Sequence, residues 1–371
     1  MKAMVLIGGL GTRMYPLTYT TPKALLPIVN RPFLKRTLQL LCMHGVSEII
    51  LSMNHMPDPI AKYLDQISGQ FSANIVCSIE PRPLGSGGAL KFNGRYLDDT
   101  FILLNGDILT NLDISDLIEF HRSKGAIITA TLSEVDDPTH WGIVELDKDD
   151  RALCWQEKPS PEEARSRWGN VGVWVMEPEV LDVIPPEKMI SLEKQIFPKL
   201  LAENVLFYGY KFSGYWKDIG TPDKYLQAQR DVLLGRMPEQ IEGIEVKPNV
   251  WIGFNSNMSE SASIIGPVVI GNGCSIGPDS RIVGPAVIGN DCQIAAECSV
   301  EDSVIWSDVV LEEGVQVFSA IVGAHTSIRK GCKIGIGTII SDNCSIGTFI
   351  SLPANTAIGP GSTLTGLLAE K

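Results

Sequence analysis

The period of the apolar residues divides the chain in two. Up to about residue 235, short apolar runs (MKAMVLI, SEIILSM, FILLNGD, AIITATL) alternate with longer stretches such as FLKRTLQLLCMHG and ISDLIEFHRSKG. The runs, rich in Ile, Leu and Val, predict buried strands. The longer stretches have helical apolar spacing and a closing glycine, and predict amphipathic helices. This alternation predicts an α/β fold with a Rossmann-like, mainly parallel sheet. In such sheets ligands bind at the carboxyl ends of the strands, where GGLG and NGD fall.

From Val246 the period becomes six. Val246, Ile252, Met258, Ile264, Ile270, Ile276, Ile282, Ile288, Ile294 and Val300 are evenly spaced. The series slips by one residue to Ile305, Leu311 and Val317, then slips again. Val322, Ile328, Ile334, Ile340, Ile346, Leu352, Ile358 and Leu364 close it. Six is neither a helical period nor that of a lone strand; it is the mark of hexapeptide repeats. The series resembles left-handed parallel β-helix domains, in which three hexapeptides make one triangular coil, so its twenty-one positions imply about seven coils. Cys274, Cys292, Cys298, Cys332 and Cys344 each precede a repeat residue by two, a slot that Ala262, Ser280, Ala286, Ala320, Thr338 and Ser362 also occupy. The slot takes small side chains, and a free cysteine is a small core filler. The expected division is a first domain over 1–235, a linker over 236–245 and a β-helix over 246–371.

Bulk numbers narrow the class. A chain of 371 residues with 44% apolar content supports two packed domains. No apolar run approaches the ~18 residues that span a bilayer, and the MKAMVLI stretch is too short for a signal peptide, so a cytoplasmic protein without membrane contact is expected. The net charge of −12 argues against nucleic acid as a partner. It leaves phosphate ligands open, because local cations or a bound metal override the global sign. Eight cysteines without a CxxC pair signal neither zinc nor a disulfide framework.

The chemistry is concentrated in GGLGTRMYPLTYTTPK, residues 8–23. A glycine-rich turn between a strand and a helix exposes N–H groups to phosphate oxygens. It is neither a Walker A loop nor a GxGxxG fingerprint. Arg13 offers a forked guanidinium and Lys23 a point charge, with Pro16 and Pro22 stiffening the connection, a set suited to gripping and releasing a triphosphate. The stretch resembles the signature of sugar-1-phosphate nucleotidyltransferases, GGxGTRLxPLTxxxPK, with Met14 for the usual Leu and Ile7 for the usual Ala. Four later stretches resemble the family in order: EPRPLGSGGAL (80–90), NGD (105–107), EKP (157–159) with NVGVW (170–174), and YWKDIGTPDKYL (215–226).

The resemblance implies roles. Gly8, Gly9, Gly11, Thr12, Glu80 and Gly85 would bind the nucleotide. Asp107 and Asp218 would hold Mg²⁺, and Gly142, Glu157, Lys158 and Asn170 the sugar phosphate, with Arg13 and Lys23 as the catalytic cations. The implied reaction joins a sugar-1-phosphate to the α-phosphorus of a nucleoside triphosphate and releases pyrophosphate. A phosphate monoester, with a second pKa near ~6, is largely dianionic at neutral pH and needs no general base. The absence of a Ser-His-Asp or Cys-His arrangement agrees with that. Glu80, an acceptor-only carboxylate, matches the paired donors of guanine. The 80–90 loop looks most like the mannose-1-phosphate guanylyltransferase branch, with Ser86-Gly87 where that branch has Thr-Ala.

Three alternatives stand beside this. One is thymidylyl or uridylyl transfer to glucose-1-phosphate, and another a non-catalytic regulatory homologue. The third is an added acyltransferase in the β-helix with His325 as base. His325 lies midway between Val322 and Ile328, a corner position, and His55, His121 and His140 read as surface or core residues. Seven residues after Leu364 leave little chain for an acyltransferase lid. The β-helix is therefore expected to assemble a homo-oligomer and perform no chemistry.

Overall fold

The computed structural model describes residues 1–365, so the tail considered above for a lid lies outside the described residues. The chain forms two compact units. One comprises Met1–Leu10 and Leu34–Asp218; the other comprises Gly11–Phe33 and the chain from Ile219 onward. The boundary falls inside the signature stretch.

The first unit is built on a nine-stranded sheet. Its strands are β1 (Lys2–Leu6), β2 (Glu48–Met53), β3 (Asn74–Ile79), β4 (Phe101–Asn105), β5 (Ile128–Glu134), β6 (Gly142–Leu146), β7 (Ala152–Glu157), β8 (Trp168–Met176) and β9 (Phe207–Lys211). The order β7-β6-β8-β4-β1-β2-β3 is parallel from β4 to β3 and turns antiparallel at β8, which also pairs with β5. The four apolar runs form β1, β2, β4 and β5. Leu6 lies opposite both Ser52 and Asn105, so the chain leaves β1, β2 and β4 along one edge. A short pair beyond that edge joins Ile108–Thr110 to Trp216–Asp218. The ISDLIEFHRSK stretch is a helix, Ile114–Lys124. Asp113 caps it by accepting from the N–H groups of Ser115 and Asp116, and Gly125 at φ +56° ends it.

In the second unit the repeat becomes three stacked ladders. Among the described residues they hold seven, seven and six parallel strands, and the first ladder carries one further antiparallel strand, Ile244–Lys247. The stacked ladders form the parallel β-helix that the six-residue period predicts. All five repeat cysteines are buried, and they line the interior with the repeat apolar residues. Two repeat residues depart from the expected pattern. Val246 is 54% exposed because it sits in the antiparallel strand, not a coil, and Met258 is 40% exposed in the opening coil.

The two slips have a location. Partners in successive coils are eighteen residues apart at Val283↔Glu301 and seventeen apart at Val287↔Val304. Spacing returns to eighteen at Ile321↔Ile339. The missing residues fall at one corner in two successive coils, before Val304 and before Ile321.

The three faces differ outside. On the first face the outward residues Val269, Val287, Val304 and Ile321 are buried, although they do not belong to the interior cluster. Helix α1 (Pro222–Leu233) packs on this face at Ala286–Ile288. Its Tyr225 hydroxyl accepts from Trp306 Nε1 (3.0 Å) and donates to the Pro27 carbonyl (2.5 Å). Its Arg230 forks onto both Asp302 oxygens (2.7 and 2.6 Å) and reaches Ser319 Oγ (3.0 Å). Asp302 and Ser319 occupy the two shortened corners.

Candidate functional site

The candidate residues divide between the two units. In the second unit, Gly11 takes φ +64°, a left-handed conformation that favours glycine, and an added Cβ would lie 3.3 Å from the Thr18 methyl. Thr18, itself buried, donates its hydroxyl to the Gly11 carbonyl (2.9 Å). Where a helix was expected after the turn, the chain makes three 3₁₀ turns, Thr12–Met14, Leu17–Tyr19 and Lys23–Leu25. Prolines at 16 and 22 cannot donate backbone hydrogen bonds, and this limits any longer helix there. Phosphate binding at a long helix N-terminus is therefore not the device; the segment offers short turns and two cations. Thr12 and Arg13 are exposed and Met14 and Leu17 buried, so the segment is anchored on its apolar side.

In the first unit the remaining motifs converge. Gly8 follows β1 where a Cβ would meet Asn54 N at 3.0 Å, whereas Gly9 faces open space. Gly106 is more constrained: a Cβ would lie 2.3 Å from Ile7 Cγ2 and 2.7 Å from the Leu6 carbonyl oxygen. That close approach delivers Asp107 just past the end of β4. Asp218 lies opposite Ile108, the residue after Asp107, so the strand register brings the two positions near each other along the backbone. Gly172, at φ +88°, brings NVG against the NGD turn, its added Cβ falling 2.8 Å from Asn105 Nδ2.

The sugar-phosphate candidates lie on β6, β7 and β8. Gly142 pairs with Glu157, and a side chain at 142 would strike Trp155 (2.6 Å) and the Glu157 carboxylate (3.0 Å). Burial pushes the Glu157 carboxyl up, with Glu193 adding to the shift and Lys158 opposing it. Lys158 takes φ +53° and is exposed, its N–H donating to Trp141 O (3.0 Å). Asn170 Oδ1 accepts from Gly172 N (3.1 Å), which fixes its amide. Trp141 and Trp216, which sequence reading did not single out, meet edge to face at 4.7 Å and tie the Gly142 strand to the Asp218 strand. Their positions beside Gly142 and Asp218 were the available signal.

Glu80 is 6% exposed and turned inward: one oxygen accepts from Ser52 Oγ (2.8 Å), the other from Leu84 N (3.3 Å). Each oxygen thus spends one acceptor site on the chain itself. Burial raises its carboxyl, and the two hydrogen bonds work against that shift. Gly85 is likewise shaped by packing, since at φ +71° its Cβ would lie 2.5 Å from the Ile190 carbonyl oxygen. A Cβ at Gly87 would fall 2.8 Å from Ile190 Cγ2, which gives a physical reason for glycine where the resembled branch has alanine. His325 stands at a coil corner at φ +56°, its side chain 60% exposed and 3.6 Å from Asp308.

This arrangement has named relatives. The Nucleotidyl transferase family model matches residues 2–234, and the EIF2B subunit epsilon LbH (left-handed β-helix) domain model matches 244–352. A UTP–glucose-1-phosphate uridylyltransferase of Synechocystis sp. is 39% identical over 72% of this chain and 73% of its own length. A probable mannose-1-phosphate guanylyltransferase 1 of Oryza sativa subsp. japonica is 31% identical over 93% of this chain and 92% of its own. Among solved structures, HddC from Yersinia pseudotuberculosis complexed with GMP-PN is 29% identical, with a TM-score of 0.53, over 62% of this chain and 99% of that one. A signature cation loop, aspartates at the neighbouring backbone positions 107 and 218 and a hexapeptide β-helix thus occur in one chain that aligns with such relatives nearly end to end, and the chain belongs to the nucleotidyl transferase family of enzymes.

Proposed function

We propose that this enzyme transfers a guanylyl group from GTP to mannose-1-phosphate, releasing pyrophosphate and forming a nucleotide sugar. The observation that carries the reading is the register that sets Asp218 beside Asp107, in the same unit as Glu157 and Lys158. Similarity to the rice guanylyltransferase across both domains supports the choice of substrates. The domain limits of this reading are 1–235 for transfer, 236–245 as linker and 246–371 for the β-helix.

Two carboxylates make a hard oxygen donor set, which fits Mg²⁺ with waters and phosphates completing the shell. Bound there, Mg²⁺ would offset phosphate charge and align the triphosphate. The chain's own residues do the rest by positioning and charge. Lys158 holds the sugar phosphate, and Glu157, Asn170 and the Gly142 backbone orient the hydroxyls. Arg13 and Lys23 offset the charge that grows on departing pyrophosphate. Glu80 braces the 80–84 turn through Ser52 and Leu84.

The same reading includes a cytoplasmic location and self-association through the β-helix. Ile244, Val246, Phe254, Met258 and Ile265 are 40–65% exposed around its opening coil, apolar surface that a second copy would cover. Uridylyl transfer to glucose-1-phosphate is the second reading, favoured by the 39% identity to the Synechocystis relative and by the inward turn of Glu80. A matrix of nucleoside triphosphates against sugar-1-phosphates, scored by pyrophosphate release, tests both. GTP with mannose-1-phosphate is expected to lead. A clear preference for UTP with glucose-1-phosphate would replace this assignment with the second.

A further inference from the structure

At several corners that follow first-face strands, a side-chain oxygen accepts a backbone N–H from the preceding coil. Asn272 accepts from Phe254 N, Asn290 from Asn272 N, and Asp342 from Ala324 N, at 2.8, 2.8 and 2.9 Å. One oxygen suffices for this ladder, as the asparagines show. Position 342 carries a carboxylate instead, and its second oxygen accepts the hydroxyls of Thr20 (2.6 Å) and Thr21 (3.2 Å) from the signature segment. The neighbouring Ser341 hydroxyl donates to the Pro16 carbonyl (3.0 Å). Asp342 is 6% exposed and Ser341 is buried, so the Ser341 bond is sheltered from water and the bonds to Thr20 and Thr21 are partly so. Segment and corner belong to the same compact unit.

We propose that Ser341 and Asp342 are positioning residues of the transferase: a latch through which the β-helix holds the stretch between Arg13 and Lys23 in its working shape. The inference rests on the reading that these two cations meet the triphosphate. Without the latch, the part of this connection around Thr20 and Thr21 would have to be ordered at the moment of nucleotide binding, at an entropic cost. Latched during folding, it is preorganised, and the β-helix becomes part of the catalytic device as well as a platform for assembly. A ligand or partner that shifted this corner would change turnover without touching substrate.

The test uses the full-length chain with Asp342→Asn, Thr20→Val/Thr21→Val and the combined variant. Asparagine preserves the ladder acceptor, as at 290, but removes the charge. The valines remove the donors and leave the ladder alone. Trypsin cleavage after Arg13 and Lys23 should accelerate about tenfold in each, the order expected for losing a hydrogen bond to a charged group. The combined variant should add little more. The nucleotide KM should rise, or kcat fall, by a similar factor, with the sugar-phosphate KM and the melting of the β-helix unchanged. Wild-type cleavage rates together with an unchanged nucleotide KM would overturn the latch. If the wild type releases no pyrophosphate with any substrate pair, the functional reading fails, and the trypsin rates alone decide the latch.

Discussion

The β-helix has three faces made from one repeat, and they are finished differently. Inward, all three carry the same Ile, Leu, Val and Cys series. Outward, the second face shows Ser275, Gln293 and Ser327, and the third Arg281, Ser299 and Lys333. The first shows Val269, Val287, Val304 and Ile321, all buried. Inward residues specify that a coil forms, whereas outward residues record what covers each face. Here the cover is helix α1 and the stretch just after the signature: besides the Tyr225 and Arg230 contacts, Val29 N donates to Gln229 Oε1 and Asn30 Nδ2 to the Ile288 carbonyl.

The largest effect should come from emptying the covered face. Ile321→Ala should cost about 2–5 kcal/mol, as buried large-to-small changes do. Lys333→Ala on the third face should stay within about 0.5 kcal/mol. Denaturant midpoints of the full chain measure both; equal losses would erase the distinction between faces. Tyr225→Phe comes next. It strands the buried Trp306 N–H, while the Pro27 carbonyl keeps its bond from Gln229 Nε2, for a loss of about 1–3 kcal/mol. Arg230→Ala should cost less, about 1 kcal/mol, because Arg230 and Asp302 are about 28% exposed. Arg230→Lys should not restore it, since a single ammonium cannot reproduce the fork onto both Asp302 oxygens. A full rescue by lysine would mean that charge alone matters at the shortened corner.

The smallest effect separates the units by pH. Glu157, in the sheet unit, has its carboxyl raised by burial, so the folded state keeps its proton longer than the unfolded state does. Its ionisation therefore lowers stability as pH rises from the ordinary carboxyl value through the folded one. Glu157→Gln removes that term, so its stability relative to wild type should improve across that interval and then level off. Paired melting curves from pH 4 upward check the sign; a gap independent of pH would remove burial as the cause.

Much of this was legible in the sequence because it is periodic. The inward repeat gave the coil, and short apolar runs bounded by glycine gave β1, β2 and β4. The departures come from neighbours in space. Val246 keeps the six-residue spacing yet pairs antiparallel, since no earlier coil underlies it. Glu80 carries the charge expected of a base reader, but Ser52 and Leu84 each bond one of its oxygens, and nothing local to EPRPLG announces that. The apolar outward position recurring every third repeat (Trp251, Val269, Val287, Val304, Ile321, Ile339) was visible throughout. It reads as a covered face only once inward and outward positions are separated. The slips looked like errors in the repeat; they are the corners that receive Arg230.

The central claim is that the nucleotide signature folds as part of the β-helix unit, and native-state hydrogen exchange on the full chain tests it most directly. The amides of Met14 and Tyr15, bonded to the Gly11 and Thr12 carbonyls, should open with the same free energy and denaturant dependence as those of Val287 and Ile321 in the coils. Exchange of the signature amides at low denaturant, while the coil amides stay protected, would contradict it.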